Sequence, residues 1–305
     1  MSQLSLAVEL AGLRLRNPTM NAAGILGMSR HQLKRVYEGG AGAVVTKSLG
    51  RNPRDGHSNP IIVFVEGGVL NSMGLPNPGV DYFKDEIRRL KAEGIPVVAS
   101  FFAASIEDFA YIARILTEAG ADALEINCSC PNVGREKCML EADPESLEMV
   151  TKTVKEESSL PVFVKLTPNV ANIVEGAKIA EENGADAITA VNTLKALVID
   201  IDLRKPILSN IIGGLSGPAL KPVAQRCVWE LFESVSIPII GCGGISNWRD
   251  AVEFLLCGAS AIQIGTALMD HGIKLFKEVN EGIGKYLVEN GFRGVRDIVG
   301  LAHEM

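Results

Sequence analysis

A (β/α)8 TIM barrel is the fold the sequence predicts, and three observations predict it. One phrase recurs four times, as GAGAVVTK (40–47), GADALEIN (120–127), GADAITAV (184–191) and GASAIQIG (258–265). A second type alternates with it, as IPVVASF (95–101), LPVFVKL (160–166) and IPIIGCG (237–243). Amphipathic helical stretches fill the intervals. Counting NPTMNAAG (17–24) as the first strand gives eight strands separated by helices. Continuous apolar strands alternating with helices indicate a parallel sheet buried on both faces, and eight such units close into a barrel. A doubly wound open sheet is the alternative arrangement of the same elements.

The elements justify themselves in chain order. LSLAVELAGLRLRNP (4–18) alternates as a β-hairpin does and predicts a plug for the bottom of the barrel. After strand 2, the stretch from Leu49 to about Val80 is too long for an ordinary loop, so it reads as a functional insertion. In each recurring phrase a glycine ends a helix in the left-handed conformation and an alanine lets the next strand pack closely. The prolines of the second type stand at strand starts, where a missing N–H is tolerated. SIEDFAYIARILTEAG opens with Ser105 and Asp108 spaced as a capping box and stacks Phe109, Ile112 and Leu116 on one face. DPESLEMVTKTVKEES starts with Asp143 as cap and Pro144 in the first turn, and VANIVEGAKIAEENG ends on Gly184. No linker or low-complexity segment divides the chain, so residues 1–305 read as one barrel domain.

Composition narrows the function. The 305 residues exceed the roughly 250 of a typical barrel only modestly. Apolar content of 47% with 22% charged residues is ordinary for a globular enzyme. A net charge of −6 gives no support to nucleic-acid binding, which leans on Lys and Arg. The N-terminus lacks the basic start and apolar run of a signal peptide, and no uninterrupted apolar stretch of about 18 residues predicts a membrane span. The six cysteines (Cys128, Cys130, Cys138, Cys227, Cys242, Cys257) read as reduced thiols of a cytoplasmic protein. None forms a CxxC pair, so no zinc ribbon or four-cysteine iron–sulphur site is expected, and no metal.

In such barrels the active site gathers at the C-terminal strand ends. Those ends carry Asn21–Gly24, Lys47 and Ser48, Ser100, Asn127, Lys165, Asn192 and Thr193, Gly243 and Gly244, and Gly265 and Thr266. Singly, each reads equally well as a strand-end residue facing water; at matching positions the barrel makes them converge. Glycines after the last two strands, in GCGGIS and GTALMD, suit a phosphate, because bare backbone N–H groups favour an anion. GGLSGPA (213–219), after the sixth strand, adds a third close-approach loop. A phosphate-anchored ligand with two convergent lysines fits flavin mononucleotide, with Lys165 against the N1/O2 edge of its ring. A phosphosugar isomerase would use the same phosphate site, and barrel logic leaves both open.

NCSCPN (127–132), NSMGLPNPG (71–79), TKS (46–48), VKLTPN (164–169), VNT (191–193), GGLSGPALKP (213–222) and GCGGI (241–245) together resemble the class 1 dihydroorotate dehydrogenases. They stand in the order and spacing of that family over essentially the whole chain. GGLSGPALKP, with IDIDLRKPILSN before it, is most similar to the partner-dependent subclass 1B. The resemblance implies FMN-dependent oxidation of dihydroorotate to orotate in pyrimidine biosynthesis. Cys130 is then the catalytic base, taking the C5 proton while hydride passes from C6 to flavin N5. A thiol of pKa about 8.5 serves where a cation or local dipole lowers it. Cys128 is structural and Cys138 idle.

The same resemblance implies that Asn71, Asn127, Asn132 and Asn192 read the substrate ring, since an amide offers both donor and acceptor to a pyrimidine dione. Lys47 faces flavin and substrate carboxylate, the Met73–Gly74–Leu75 backbone completes the carboxylate end, and Thr193 joins Asn192. Ala23, Lys47, Ser48, Ser100, Asn127, Lys165, Val191, Gly217, Gly243, Gly244, Gly265 and Thr266 map onto the flavin site. Three positions depart from the family: Ser100 stands where an asparagine is usual, Ala23 where serine is common, and VGREKCMLEADPE lacks the usual glycine-rich stretch. No strand–GxGxxG–helix NAD site is present. NAD as final oxidant therefore requires a partner subunit with FAD and an iron–sulphur cluster, fumarate being another possible acceptor. A homodimer core is implied as well. A dihydropyrimidine dehydrogenase-like flavoenzyme and a non-catalytic flavin-binding subunit are the alternatives.

Overall fold

The structure, a computed structural model, describes residues 4–128 and 143–304; Cys130, Asn132 and Cys138 lie outside the described residues. The chain opens with β1 (Val8–Leu10) and β2 (Leu13–Leu15), an antiparallel hairpin pairing Leu10 with Leu13. Its two-residue turn holds Ala11 and Gly12 at φ 48° and 85°, the left-handed pair that matches the twist of the strands. Leu10 and Leu15 pack against Met20, Val45, Phe163 and Ile240 inside the barrel, so the expected plug is there.

The barrel strands are β3 (Thr19–Asn21), β4 (Val44–Val45), β7 (Val97–Phe101), β8 (Ala123–Asn127), β9 (Val162–Leu166), β10 (Ala187–Ala190), β15 (Ile239–Cys242) and β16 (Ala259–Ile264). Each pairs in parallel with the next, and β16 returns to β3. A parallel bridge between Met20 and Ala43 joins β3 to β4, which distinguishes this barrel from the open sheet. Outside it run α1 (Arg30–Glu38), α2 (Val80–Ala92), α3 (Ile106–Glu118), α4 (Pro144–Glu157), α5 (Ile173–Glu182), α6 (Lys221–Phe232) and α7 (Trp248–Leu256). The short α8 (Ala267–His271) and long α9 (Leu275–Glu289) complete the α-helices among the described residues.

The recurring phrase has the physical basis expected of it. Gly40, Gly120, Gly184 and Gly258 all take positive φ, from 84° to 114°, and the alanine after each is buried. In two repeats the aspartate between the alanines has a further role. Asp122 accepts the Val97 amide at 2.7 Å and pairs with Lys91 at 2.6 Å; Asp186 does the same with Val162 and Lys155. Ser105 caps α3 by accepting from the Asp108 amide. Asp143 stands at the start of α4, but its carboxylate takes the Ser146 hydroxyl at 2.6 Å and caps no backbone N–H. That is a correction: the nearby hydroxyl competes for the oxygen.

Two excursions cover the mouth. The first carries β5 (Ile62–Val65) and β6 (Gly68–Asn71); the second carries β11 (Leu194–Ala196), β12 (Ile199–Asp200), β13 (Lys205–Pro206) and β14 (Gly213–Ser216). They join as one antiparallel sheet, β11–β14–β6–β5. GGLS is therefore a strand and not the loop expected from its glycines. The close approach does hold: a Cβ at Gly213 would stand 2.8 Å from Asn71 O, and one at Gly214 would meet Thr193 Oγ1.

Candidate active site

Alternation along each strand decides what the barrel holds. On β9, Val162, Val164 and Leu166 pack outward against the helices, while Phe163 and Lys165 face inward. On β8, Ala123, Glu125 and Asn127 share the inward phase. The lower interior is apolar throughout, and the upper interior opens into a cavity of about 710 Å³ at the C-terminal strand ends. Its wall includes every described candidate residue except Asn21 and Ser100. Lys47 and Lys165, buried at 6% and 5% exposure, enter it from the β4 and β9 sides. Ser100 is fully buried behind Ser48, their hydroxyl oxygens 3.0 Å apart.

The amides are already organised. Asn192 Nδ2 donates to Asn127 Oδ1 at 3.2 Å, and Asn127 Nδ2 donates to Ser48 Oγ at 3.1 Å. Asn192 Oδ1 accepts the Thr193 amide at 2.8 Å. Asn71, at the end of β6, donates to Gly214 O across the two excursions. Beyond Asn71 the chain turns through Gly74 and Leu75 at φ 75° and 57°. His57 takes the carbonyls of Ser72 and Met73, through Nδ1 at 3.0 Å and its own amide at 3.1 Å; Arg54 Nε takes Gly74 O at 2.7 Å. Trans peptides then turn the N–H groups of Met73, Gly74 and Leu75 the opposite way, on segments that line the cavity. Sequence reasoning missed Arg54 and His57, because an irregular excursion has no period to place them.

Lys165 stands on a buried polar layer. Its ammonium donates to Gln263 Oε1 at 2.8 Å and lies 3.8 Å from Cys242 Sγ. Gln263 Nε2 donates to Glu125 Oε2 at 2.6 Å, as does Thr189 Oγ1 at 2.9 Å. Burial alone would push the Lys165 ammonium down; Cys242 and the Glu125 carboxylate outweigh it and hold it above the ordinary lysine range. Burial pushes the Cys242 thiol up, against the pull of Lys165. Cys242 and Glu125 are therefore the two groups whose charge bears on the ammonium. Glu125 and Gln263 were also missed, although each is a polar residue in the inward phase of an otherwise apolar strand.

The other end of the cavity is rich in glycine backbone. Gly217, Gly243 and Gly244 take φ of 99°, 129° and 77°. A Cβ on Gly244 would stand 2.7 Å from Lys221 N and 2.9 Å from Gly217 O. At Gly265 an added Cβ would meet only Ala22, so it would occupy cavity space. Thr266 Oγ1 donates to Ser216 Oγ at 2.7 Å. A glycine-rich end suits a phosphate, and a buried ammonium beside amides and hydroxyls suits the polar edge of a ring. The residues present fit FMN.

Fold and site together define a barrel enzyme whose polar cavity opens at the C-terminal strand ends. Residues 5–287 match the dihydroorotate dehydrogenase family, and the chain belongs to it. Among its relatives are proteins named dihydroorotate dehydrogenase B (NAD(+)), catalytic subunit. That of Thermococcus kodakarensis is 49% identical over 304 residues, covering 100% of both chains. That of Pyrococcus horikoshii is 48% identical over 297 residues, 97% of each. That of Methanocella arvoryzae is 47% identical over 302 residues, 99% of each. The crystal structure of DHODH from Eimeria tenella in complex with ferulenol shares the fold. Its TM-score is 0.85 at 22% identity, covering 98% of this chain and 89% of that one.

Proposed function

We propose that this chain oxidises dihydroorotate to orotate in pyrimidine biosynthesis, with FMN seated in the barrel mouth. The observation that carries the reading is the convergence of Lys47, Asn71, Asn127, Lys165 and Asn192 on one cavity whose far end is glycine backbone. When bound, FMN supplies the acceptor for the hydride that leaves C6. The chain's own residues do the rest. Gly217, Gly243, Gly244, Gly265 and Thr266 hold the phosphate, and Ala23, Ser48 and Val191 line the ring. Lys165 offers its ammonium to the N1/O2 edge.

Asn71, Asn127, Asn132 and Asn192 pair with the alternating N–H and C=O groups of the substrate ring, Thr193 beside them. The chain Asn192–Asn127–Ser48 fixes which amide atoms face the ligand. An analogue lacking those groups leaves buried amides unpaired and is rejected. Lys47 and the N–H groups of Met73, Gly74 and Leu75 take the carboxylate. Cys130, as thiolate, removes the C5 proton. Buried Cys128 has a structural role.

The relatives' name makes them one subunit of a larger enzyme. By the same reading, this chain passes electrons to a partner bearing FAD and an iron–sulphur cluster, with NAD as final oxidant. Two such chains form a homodimer core in the cytoplasm. The experiment is anaerobic addition of dihydroorotate to the purified flavin-loaded chain. Bleaching of the visible flavin band is expected. A band unchanged by dihydroorotate but bleached by dihydrouracil would overturn the substrate, and a chain that takes up no FMN would overturn the site.

A further inference from the structure

Five side chains from five neighbouring strands meet inside the barrel, and the chemistry above uses only Lys165 among them. The others are Glu125 on β8, Thr189 on β10, Cys242 on β15 and Gln263 on β16. Glu125 is wholly buried. Both donors that reach it use Oε2, and its Oε1 has no hydrogen-bond partner among the described residues. Stability does not account for it. A buried ion pair is commonly no better than apolar side chains of the same volume, and the layer beneath, with Ala123, Phe163, Ile240 and Ala261, is filled in that apolar way.

Glu125 and Lys165 are joined through Gln263, whose amide fits in one sense only. Its oxygen takes the ammonium and its nitrogen donates to the carboxylate; reversed, donor would face donor and acceptor would face acceptor. An ammonium has three N–H donors. Gln263 and Cys242 account for two, which leaves the third for the cavity that Lys165 lines. An ammonium without water gives up its proton unless a counter-charge holds it. The titratable groups facing it among the described residues are Glu125 and Cys242; Thr189 and Gln263 do not titrate, and Lys47 stands on the β4 side of the cavity.

We propose that Glu125 is a positioning residue which, through Gln263, keeps Lys165 charged and aimed at the ring of the bound flavin and so sets the flavin's reduction potential. The proposal rests on the cavity being a flavin site. Negative charge that develops on the N1/O2 edge on reduction is held better by an ammonium than by an amine, so the potential follows the protonation of Lys165.

The test uses the flavin-loaded chain labelled with [13Cε]lysine, Lys165 being assigned with Lys165→Met. Lysine titration and the flavin potential against pH are recorded for wild type, Glu125→Gln and Glu125→Asp. In wild type, Lys165 stays protonated through about pH 9. In Glu125→Gln it deprotonates below that. The ratio of reduced- to oxidised-flavin affinity then falls about tenfold, which for a two-electron couple is about 30 mV. Glu125→Asp recovers part of both shifts. If Glu125→Gln does not fold, Gln263→Met breaks the same link and moves both readouts the same way. An unshifted lysine overturns the proposal and leaves the flavin site standing. A shifted lysine with an unshifted potential overturns the flavin role, and with it the placement of Lys165 at the ring.

Discussion

Phe163 and Lys165 enter the barrel from the same strand, one pleat apart, and are held by different physics. Phe163 belongs to a cluster with Leu10, Leu15, Met20, Val45, Val98 and Ile240, all apolar and buried. What matters there is volume, and side chains of similar size can exchange at modest cost. Lys165 stands instead in a layer joined by hydrogen bonds through Gln263 and Glu125, and removing one member of such a bond leaves the other buried and unpaired. The lower interior holds the barrel together. The upper interior, where a buried ion pair is commonly no better than apolar packing, is where the proposed chemistry lies.

Substitutions in the two halves, and at the expected base Cys130, should therefore separate stability from function. Cys130→Ser should lower turnover by about 10²- to 10⁴-fold near neutral pH while flavin stays bound, read from steady-state rates beside the visible spectrum. Phe163→Ala should cost about 3–5 kcal/mol of unfolding free energy in urea and leave the flavin spectrum of the folded fraction unchanged. A spectrum altered at full folding would break the division between the halves. Gly244→Ala should weaken FMN retention at least about tenfold, because the residue is left-handed and its Cβ would press on Lys221 N. Fluorescence of released flavin measures it.

Asp122→Ala lies outside both halves. It should cost about 1 kcal/mol through the lost Val97 amide bond, seen as a lower Tm with unchanged turnover. The smallest effect is that of pH on Lys165. Its pKa is raised, so what it contributes to stability is complete below the ordinary lysine value and is lost only as pH rises through its folded value. Flavin retention should therefore stay flat between about pH 6 and 9 as far as this group decides it. A step in that window in the wild type, absent from Lys165→Met, would contradict the assignment.

The barrel was legible because its signals are local and repeated. A left-handed glycine, a buried alanine and an apolar run recur at each alternate strand, and the hairpin of residues 8–15 shows its alternation in sequence. The strands β11 and β14 were not legible. They are three and four residues long; what makes β14 a strand is pairing with β6, more than a hundred residues away, and β11 pairs in turn with β14. The candidate ligand residues showed themselves as polar groups at strand ends, and the family resemblance gave them roles. Glu125 and Gln263 escaped because strands apolar on both faces hide which phase looks inward. Arg54 and His57 escaped because they act on carbonyls of a distant turn.

The two excursions meet as one sheet, with Gly214 opposite Asn71 and Ser216 opposite Val69. Loops on a barrel rim are ordinarily exchangeable parts, since each hangs on its own strand and helix. Here the exchangeable part is a pair drawn from distant places in the gene. Grafting residues 62–71 into another barrel without 194–216 would carry Asn71 across but leave β6 with an unpaired edge, and the reverse graft would strand β14 in the same way. Recombination or design that changes what this mouth accepts has to move both segments together.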